Sequence, residues 1–472
     1  MEVLQRTANR GSVSTGYDID NSCKFEADNR EYLRWTNFST YASSARKKKF
    51  SMSLWCKRTE LGSQQIIWST ASNGYLSFDA ADTIVWYQQY VGSTTQIGLR
   101  TTRVFRDTSA WYHFMIVVDT AQSTEANRVK MYVNGVQETV FGTPDTYPSQ
   151  NAQASNLYEQ HLYLGEWGGG ASGFSGYIAE YYFLSEIAAS PTDLGEYDED
   201  TGIWKPKAYS GTISSPSQFL EFQDSSDLGT ATSGLDADTM NNIAAADQAT
   251  DTPTNNFCIA NAIAIGSSNL FQFTEGGTVC KRITADQWDF FTTTMPVNKG
   301  KWYGEFKIGS GPAMVGIGSL SYFEGTAQSS HTGAGMATNS GVAYYGADGK
   351  RWVDNTEAAY GATFGTSDII SIAMDLDNDN VYFAKNGTWQ NSGDPTSGAT
   401  GTGALSTDPV GDYFVMTMNM LYNPTTHFMN YGGYTTISIS SAASDANGYG
   451  TFEYAPPSGF YALCSKNLSE FG

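Results

Sequence analysis

Three aspartates on alternate positions, Asp375, Asp377 and Asp379 in DLDNDNVYFAKNGTW (375–389), come closest to metal chemistry by type and spacing. An EF-hand loop opens with oxygen ligands at positions 1, 3 and 5, but it also needs Gly at 6 and a bidentate Glu at 12. Counted from Asp375, position 6 is Asn380 and position 12 is Asn386, so both discriminating positions fail. The stretch reads better as a hairpin: a strand over 369–376, a polar turn over 377–380 and a return strand over 381–385. Asn386-Gly387 then supplies the pair of positive φ angles that a type I′ turn requires. The expectation is no cofactor, with a weak calcium site at that turn as the alternative.

Nucleophilic and zinc chemistry find less support. The four histidines, His113, His161, His331 and His427, lie in dissimilar settings, without a Gly-x-Ser-x-Gly elbow or a His-x-x-x-His spacing. His113, inside an aromatic strand, reads as a packed core residue. Cys23, Cys56, Cys258, Cys280 and Cys464 are odd in number and form no C-x-x-C, which argues against a zinc site or a disulfide framework. Cys56 and Cys464 sit in apolar segments and read as small buried hydrophobes.

Binding chemistry is better represented. In GEWGGGASGF (165–174), consecutive glycines let the backbone approach a ligand closely, and Trp167 stands beside Gly168 and Gly169. A second candidate is TIVWYQQYVG, with Trp86 and Tyr90; its alternation also allows Trp86 to face the core while Tyr87 faces out. In the second half, SSHTGAGMATNSG and GADGKRWVDNTE read as loops that carry His331, Arg351 and Trp352, and exposed aromatics beside Arg favour protein interfaces.

The elements that must position these residues are strands. The chain has 472 residues, with 48 Gly and 14% aromatics, a composition that fits pleated surfaces and many turns. Only PTDLGEYD (191–198) offers a turn or so of helix. The phrase strand–Asp–polar turn–strand–Asn–Gly occurs twice, in WYHFMIVVDTAQSTEANRVKMYVNG and in the 369–387 stretch. Two domains of one architecture follow: all-β, two antiparallel β-sandwiches of the jelly-roll kind. Residues 1–16 read as an N-terminal arm, 17–205 as the first sandwich, 206–255 as a Ser/Thr/Asp-rich connector carrying one short apolar patch, FLEF, and 256–472 as the second sandwich. Net charge is 27 − 48 = −21, which disfavours nucleic acid. The basic run Arg46-Lys47-Lys48-Lys49 reads as a solvated turn. The start, MEVLQRTANRG, has no apolar signal region, and nowhere do eighteen apolar residues run together, so synthesis in a cytosol without membrane spanning is expected.

From YDIDNSCKFEADNREYLRW through FSMSLWCKR to GYIAEYYFLS, the first half resembles the concanavalin A-like lectin/glucanase (laminin-G-like) sandwiches. The second half, with GKWYGEFKI, MVGIGS and DIISIAMDLDNDNVYFAKNGTW, resembles SPRY domains. FQDSSDLG, TDTPTNNF and the ending PPSGFYALCSKNL are similar to phrases in tail and fibre proteins of bacteriophages. The resemblance implies a virion protein made in the host bacterial cytoplasm. It would bind a host cell-surface glycan or other virion subunits, as a homo-oligomer and, by analogy with fibres, a trimer. Without a shaft-like repeat, a compact knob or capsid decoration is expected. A purely structural subunit and a glycan depolymerase are the alternatives. Hydrolysis needs two carboxylates about 5–10 Å apart, which hydrolases of this kind carry on one strand. Glu196, Asp198 and Glu199 in GEYDED read as a loop or helix end, and Glu180 in GYIAEYYF stands alone, so no catalysis is expected.

Overall fold

In the computed structural model, alternation along the strands sorts aromatic rings into two separate cores. The structure describes residues 16–472 except 37, 71–73, 91–96, 156, 158–160, 169, 171, 266–270, 285–287, 321–340, 354–355, 407–412 and 423. Contacts divide the chain into two units, Met1–Thr254 and Asn255–Gly472.

The first unit is two antiparallel sheets face to face. One sheet runs Val136–Gln137, Val129–Val133, Tyr112–Asp119, Lys49–Arg58, Gly176–Ser185, Ser22–Phe25, Gln248–Ala249, with Gln218–Leu220 also on Gly176–Ser185. The other runs Phe141–Asp145, Ile97–Val104, Thr83–Gln88, Gly74–Phe78, Gln65–Ser69, Leu162–Leu164, Tyr32–Trp35, Thr239–Asn241. Between them lie Trp35, Phe50, Trp68, Trp86, Tyr181 and Phe183. Trp68 stacks on Trp86 at 5.5 Å, and its Nε1 donates to the Tyr181 hydroxyl at 3.1 Å, so the buried indole is satisfied.

The boundary expected at 205 moves to 254, because the presumed connector is part of this sandwich. Gln218–Leu220, Ser233–Gly234, Thr239–Asn241 and Gln248–Ala249 all pair within its two sheets. Polar staples hold the segment down. Lys57 meets Asp251 at 2.7 Å with both side chains buried, and Trp111 Nε1 donates to the same carboxylate at 3.0 Å. Lys24 bridges Glu31 and Asp247, each at 2.9 Å.

The second unit is again a sandwich. Its first sheet runs Ala260–Ile265, Asp289–Thr293, Phe414–Met420, Ala313–Ser319, Gly341–Tyr345, Lys350–Val353, Thr356–Ala359. Its second runs Phe271–Thr274, Val279–Arg282, Thr425–Asn430, Lys301–Ile308, Ile369–Asp375, Asn380–Lys385, Thr388–Trp389. Tyr461–Ala462 adds a parallel pairing to Lys301–Ile308. The unit closes where it opens: Cys258 N donates to Leu463 O at 3.0 Å, and Ser465 N donates to Asn256 O at 2.8 Å. Ser465–Phe471 is an α-helix that the strand-rich sequence does not announce, two turns being too short for a visible period. Around Pro191 the expected turn of helix is present as Pro191–Asp193. No helix among the described residues is long and apolar enough to cross a membrane.

Candidate functional site

On the sheet containing Gly74–Phe78, the core claims Leu76 and Phe78, and on the neighbouring strand it claims Ile84 and Trp86. Alternation therefore turns Tyr75 and Tyr87 outward. The two are cross-strand partners, and their rings stack at 5.2 Å and 27°. Trp167 lies against Tyr75 at 4.8 Å and 47°, so three partly exposed rings form one platform. Its loop is pinned to the sheet. Gly165 N donates to Ile67 O at 2.7 Å, and Ser69 Oγ donates to Glu166 O at 2.8 Å. Arg30 Nε donates to the buried Glu166 carboxylate at 2.9 Å. Gly165 has φ +96°, and a Cβ there would stand 2.5 Å from the Phe25 ring, so only glycine fits. Burial, and secondarily Tyr87, push the Tyr75 hydroxyl up to about 12, so it stays a neutral hydrogen-bonding group at physiological pH.

Of the residues singled out in the sequence, Trp167 and the exposed Gly168 belong to this platform, and Gly169 lies outside the described residues. Trp86 and Tyr90 do not serve as ligand contacts. They are only 1% and 2% exposed, with Trp86 stacked in the core, so neither ring has a face to offer. The missed residues are Tyr75 and Tyr87. The signal was the register of two short strands, which the sequence shows only as adjacent aromatic-bearing segments.

The opposite sheet holds a departure from ordinary strand geometry. Glu180 sits in a register shift of Gly176–Ser185 with φ +50°, rare for a residue with a side chain. It is 3% exposed and does not stand alone. Tyr17 and Tyr182 hydroxyls lie 2.8 and 2.9 Å from its two oxygens, and Tyr17 also reaches Glu221 at 3.2 Å. Burial is the main cause that pushes its carboxyl up to about 8; the hydrogen bonds oppose this and the Glu221 charge adds to it. With Glu180 protonated, the contacts form one consistent chain from Tyr182 through Glu180 and Tyr17 to Glu221. Both oxygens of the acid are thereby engaged and covered. Glu196 lies on the short strand Gly195–Tyr197, not in a loop or helix end, and Lys205 engages both it and Asp198.

His113 is buried as expected, with Ser53 Oγ at 2.7 Å from Nε2. The pair is no nucleophile and base. Trp204 Nε1 donates to His113 Nδ1 at 3.1 Å, and an indole can only donate, so the imidazole proton must sit on Nε2 and face Ser53. Burial drives this histidine down to about 3, so it stays neutral.

In the second unit, the three aspartates are held apart by other tasks. Asp375 is buried, paired with Lys301 at 2.8 Å and bonded by Asn378 Nδ2 at 2.9 Å. Asp377 accepts from Gly300 N at 2.9 Å, and Asp379 takes φ +57° in the turn. Arg351 and Trp352, expected in a loop, lie on the strand Lys350–Val353. Trp352 packs beside Met314 and Ala343 on the sheet face, and His331 lies outside the described residues.

Among solved structures, the SPRY domain of human HERC1 is similar at 12% identity and TM-score 0.28, covering 36% of this chain and 96% of its own. A human SPRY domain is similar at 16% and 0.26, covering 34% and 94%. The TRIM65 PSpry domain is similar at 10% and 0.28, covering 37% and 88%. A search of curated proteins finds no significant match. Residues 29–193 match the family described as the concanavalin A-like lectin/glucanases superfamily, and residues 301–406 match the SPRY domain family. The chain therefore carries a concanavalin A-like sandwich in its first half and a SPRY domain in its second.

Proposed function

We propose that this chain is a non-catalytic adhesion subunit of a bacteriophage particle, which binds host-surface glycan through its first sandwich and neighbouring subunits through its second. The observation that carries the reading is the Tyr75–Tyr87–Trp167 platform, three rings on a rigid sheet held in place by a pinned loop. Flat aromatic faces take the apolar side of a sugar ring, and rigid rings lose little entropy when they do so. The phrases FQDSSDLG, TDTPTNNF and PPSGFYALCSKNL support the virion setting, and closed symmetry is the usual solution for repeated subunits, here a trimer. The covered state of Glu180 supports binding without cleavage.

Incubation with host-surface polysaccharide, reading both retention and reducing ends, tests this. Retention without new reducing ends is expected, weakened about ten-fold or more by Trp167→Ala or Tyr75→Ala. Steady release of reducing ends, lost in Glu180→Gln, makes the protein a depolymerase instead.

A further inference from the structure

The sheet that bears the aromatic platform continues, at one register, into a charged end. Reading partners across its strands from Tyr87, the row facing away from the core is Tyr75, Ser69, Tyr163, Arg34 and Thr239; the loop at Glu166 covers Ser69, and Tyr163 is buried too, so the open ends of the row are Tyr75 and Arg34. Leu33 and Trp35 belong to the core, so Tyr32 and Arg34 share the outward face. Tyr32 meets Tyr163 edge-on at 5.5 Å, and His161 meets Tyr163 at 6.1 Å.

Two polar groups flanking Tyr163 have no partner. Arg34 Nη2 donates to Thr239 Oγ1 at 3.1 Å, but its Nε is buried without an acceptor. Among the described residues, no carboxylate lies within ion-pairing distance of this guanidinium, although the chain carries 48 acidic residues against 27 basic. His161 Nδ1 is likewise buried and unpartnered. Orphaned buried polar groups in a folded protein call for a ligand or water. The other arginines of this side are occupied: Arg30 holds Glu166, and Arg100 holds Asp79.

We infer that this face takes an acidic saccharide whose rings lie on Tyr75, Tyr87 and Trp167 and whose carboxylate meets Arg34. The inference rests on the glycan reading above and narrows it to carboxylate-bearing sugars. Three strand spacings separate Tyr75 from Arg34, about 14 Å, the length of a short oligosaccharide running over the Glu166–Gly168 loop that covers the strands between them. A guanidinium fork matches a planar carboxylate in two parallel bonds, and an anion at this end offsets the desolvation of Nε.

The test uses the full chain with polygalacturonate, its carboxyl-reduced counterpart and dextran sulfate, measuring affinity for each. The expected result is that polygalacturonate binds about ten-fold or more tightly than the reduced polymer. Arg34→Gln should erase that difference, leave the melting temperature unchanged and leave weak binding of the reduced polymer intact. Equal binding of both polymers overturns the acidic inference while the glycan reading stands. Binding of dextran sulfate at the same strength, insensitive to Arg34→Gln, overturns the inference as general charge attraction. No binding of any polymer, with wild type and Trp167→Ala alike, removes the glycan reading itself.

Discussion

Glu180 shows what a single residue can cost and signal. A carboxyl held near 8 against an ordinary value near 4.5 binds its proton more tightly in the folded chain than in the unfolded one. Its stabilising contribution is therefore complete below about pH 4.5 and is lost as pH rises through 8. Tyr17, Tyr182 and Glu221 are the titratable groups facing it, and burial holds both tyrosine hydroxyls well above their ordinary range, so neither loses a proton in that window. Glu180→Gln keeps a donor where the acid proton was, so the hydrogen-bonded chain to Glu221 survives. The variant should match wild type at pH 5 and exceed it by on the order of 3 kcal/mol at pH 9 in urea unfolding. A variant that loses stability equally at both pH values would show that Glu180 is ionised in the folded protein. The residue was visible in GYIAEYYF as an acid among aromatics. Its partners were not, because Tyr17 lies 163 positions away and the bulge that brings Glu180 to it leaves no mark in the sequence.

The hairpins were the most legible elements. Asn134-Gly135 and Asn386-Gly387 adopt φ values of 49° and 77°, and of 48° and 78°, the twin positive angles expected from the dipeptide alone. What the dipeptide did not reveal is the ring packed over each glycine. A Cβ at Gly135 would stand 2.4 Å from Trp204, and one at Gly387 would stand 2.7 Å from Tyr454, whereas Gly62, at φ +75°, has open space. Gly62→Ala should therefore cost about 1 kcal/mol from backbone conformation alone, and Gly135→Ala about 2–3 kcal/mol, compared by urea midpoints. Equal losses would mean that the indole yields freely. The neighbouring aspartates give a second expectation at this scale. Since Asp375 is satisfied by Lys301 and Asn378, and Asp377 by Gly300, chelator should leave the melting temperature where it was. A fall restored by calcium and abolished in Asp377→Ala would establish a metal there.

At the scale of the molecule, the sequence told two sandwiches from one but misplaced the border between them. Residues 206–254 looked like a linker because their strands are two or three residues long, too short to show alternation, and because they hold on through ions and edges rather than apolar runs. The proposed ligand face was hidden for a related reason: Tyr75, Tyr87, Tyr163 and Arg34 come into one row only through register. The pairing of residues 256–258 with 463–465 has a further meaning. A unit whose opening segment is hydrogen-bonded to one close to its end has no fixed address in a chain: it can be spliced into a loop of another protein without spreading that loop, and its order can be rotated. A form of 255–472 with its ends joined by a short Gly/Ser linker and reopened between the exposed Ala399 and Thr400 should keep the β-rich spectrum and cooperative melting of the parent order.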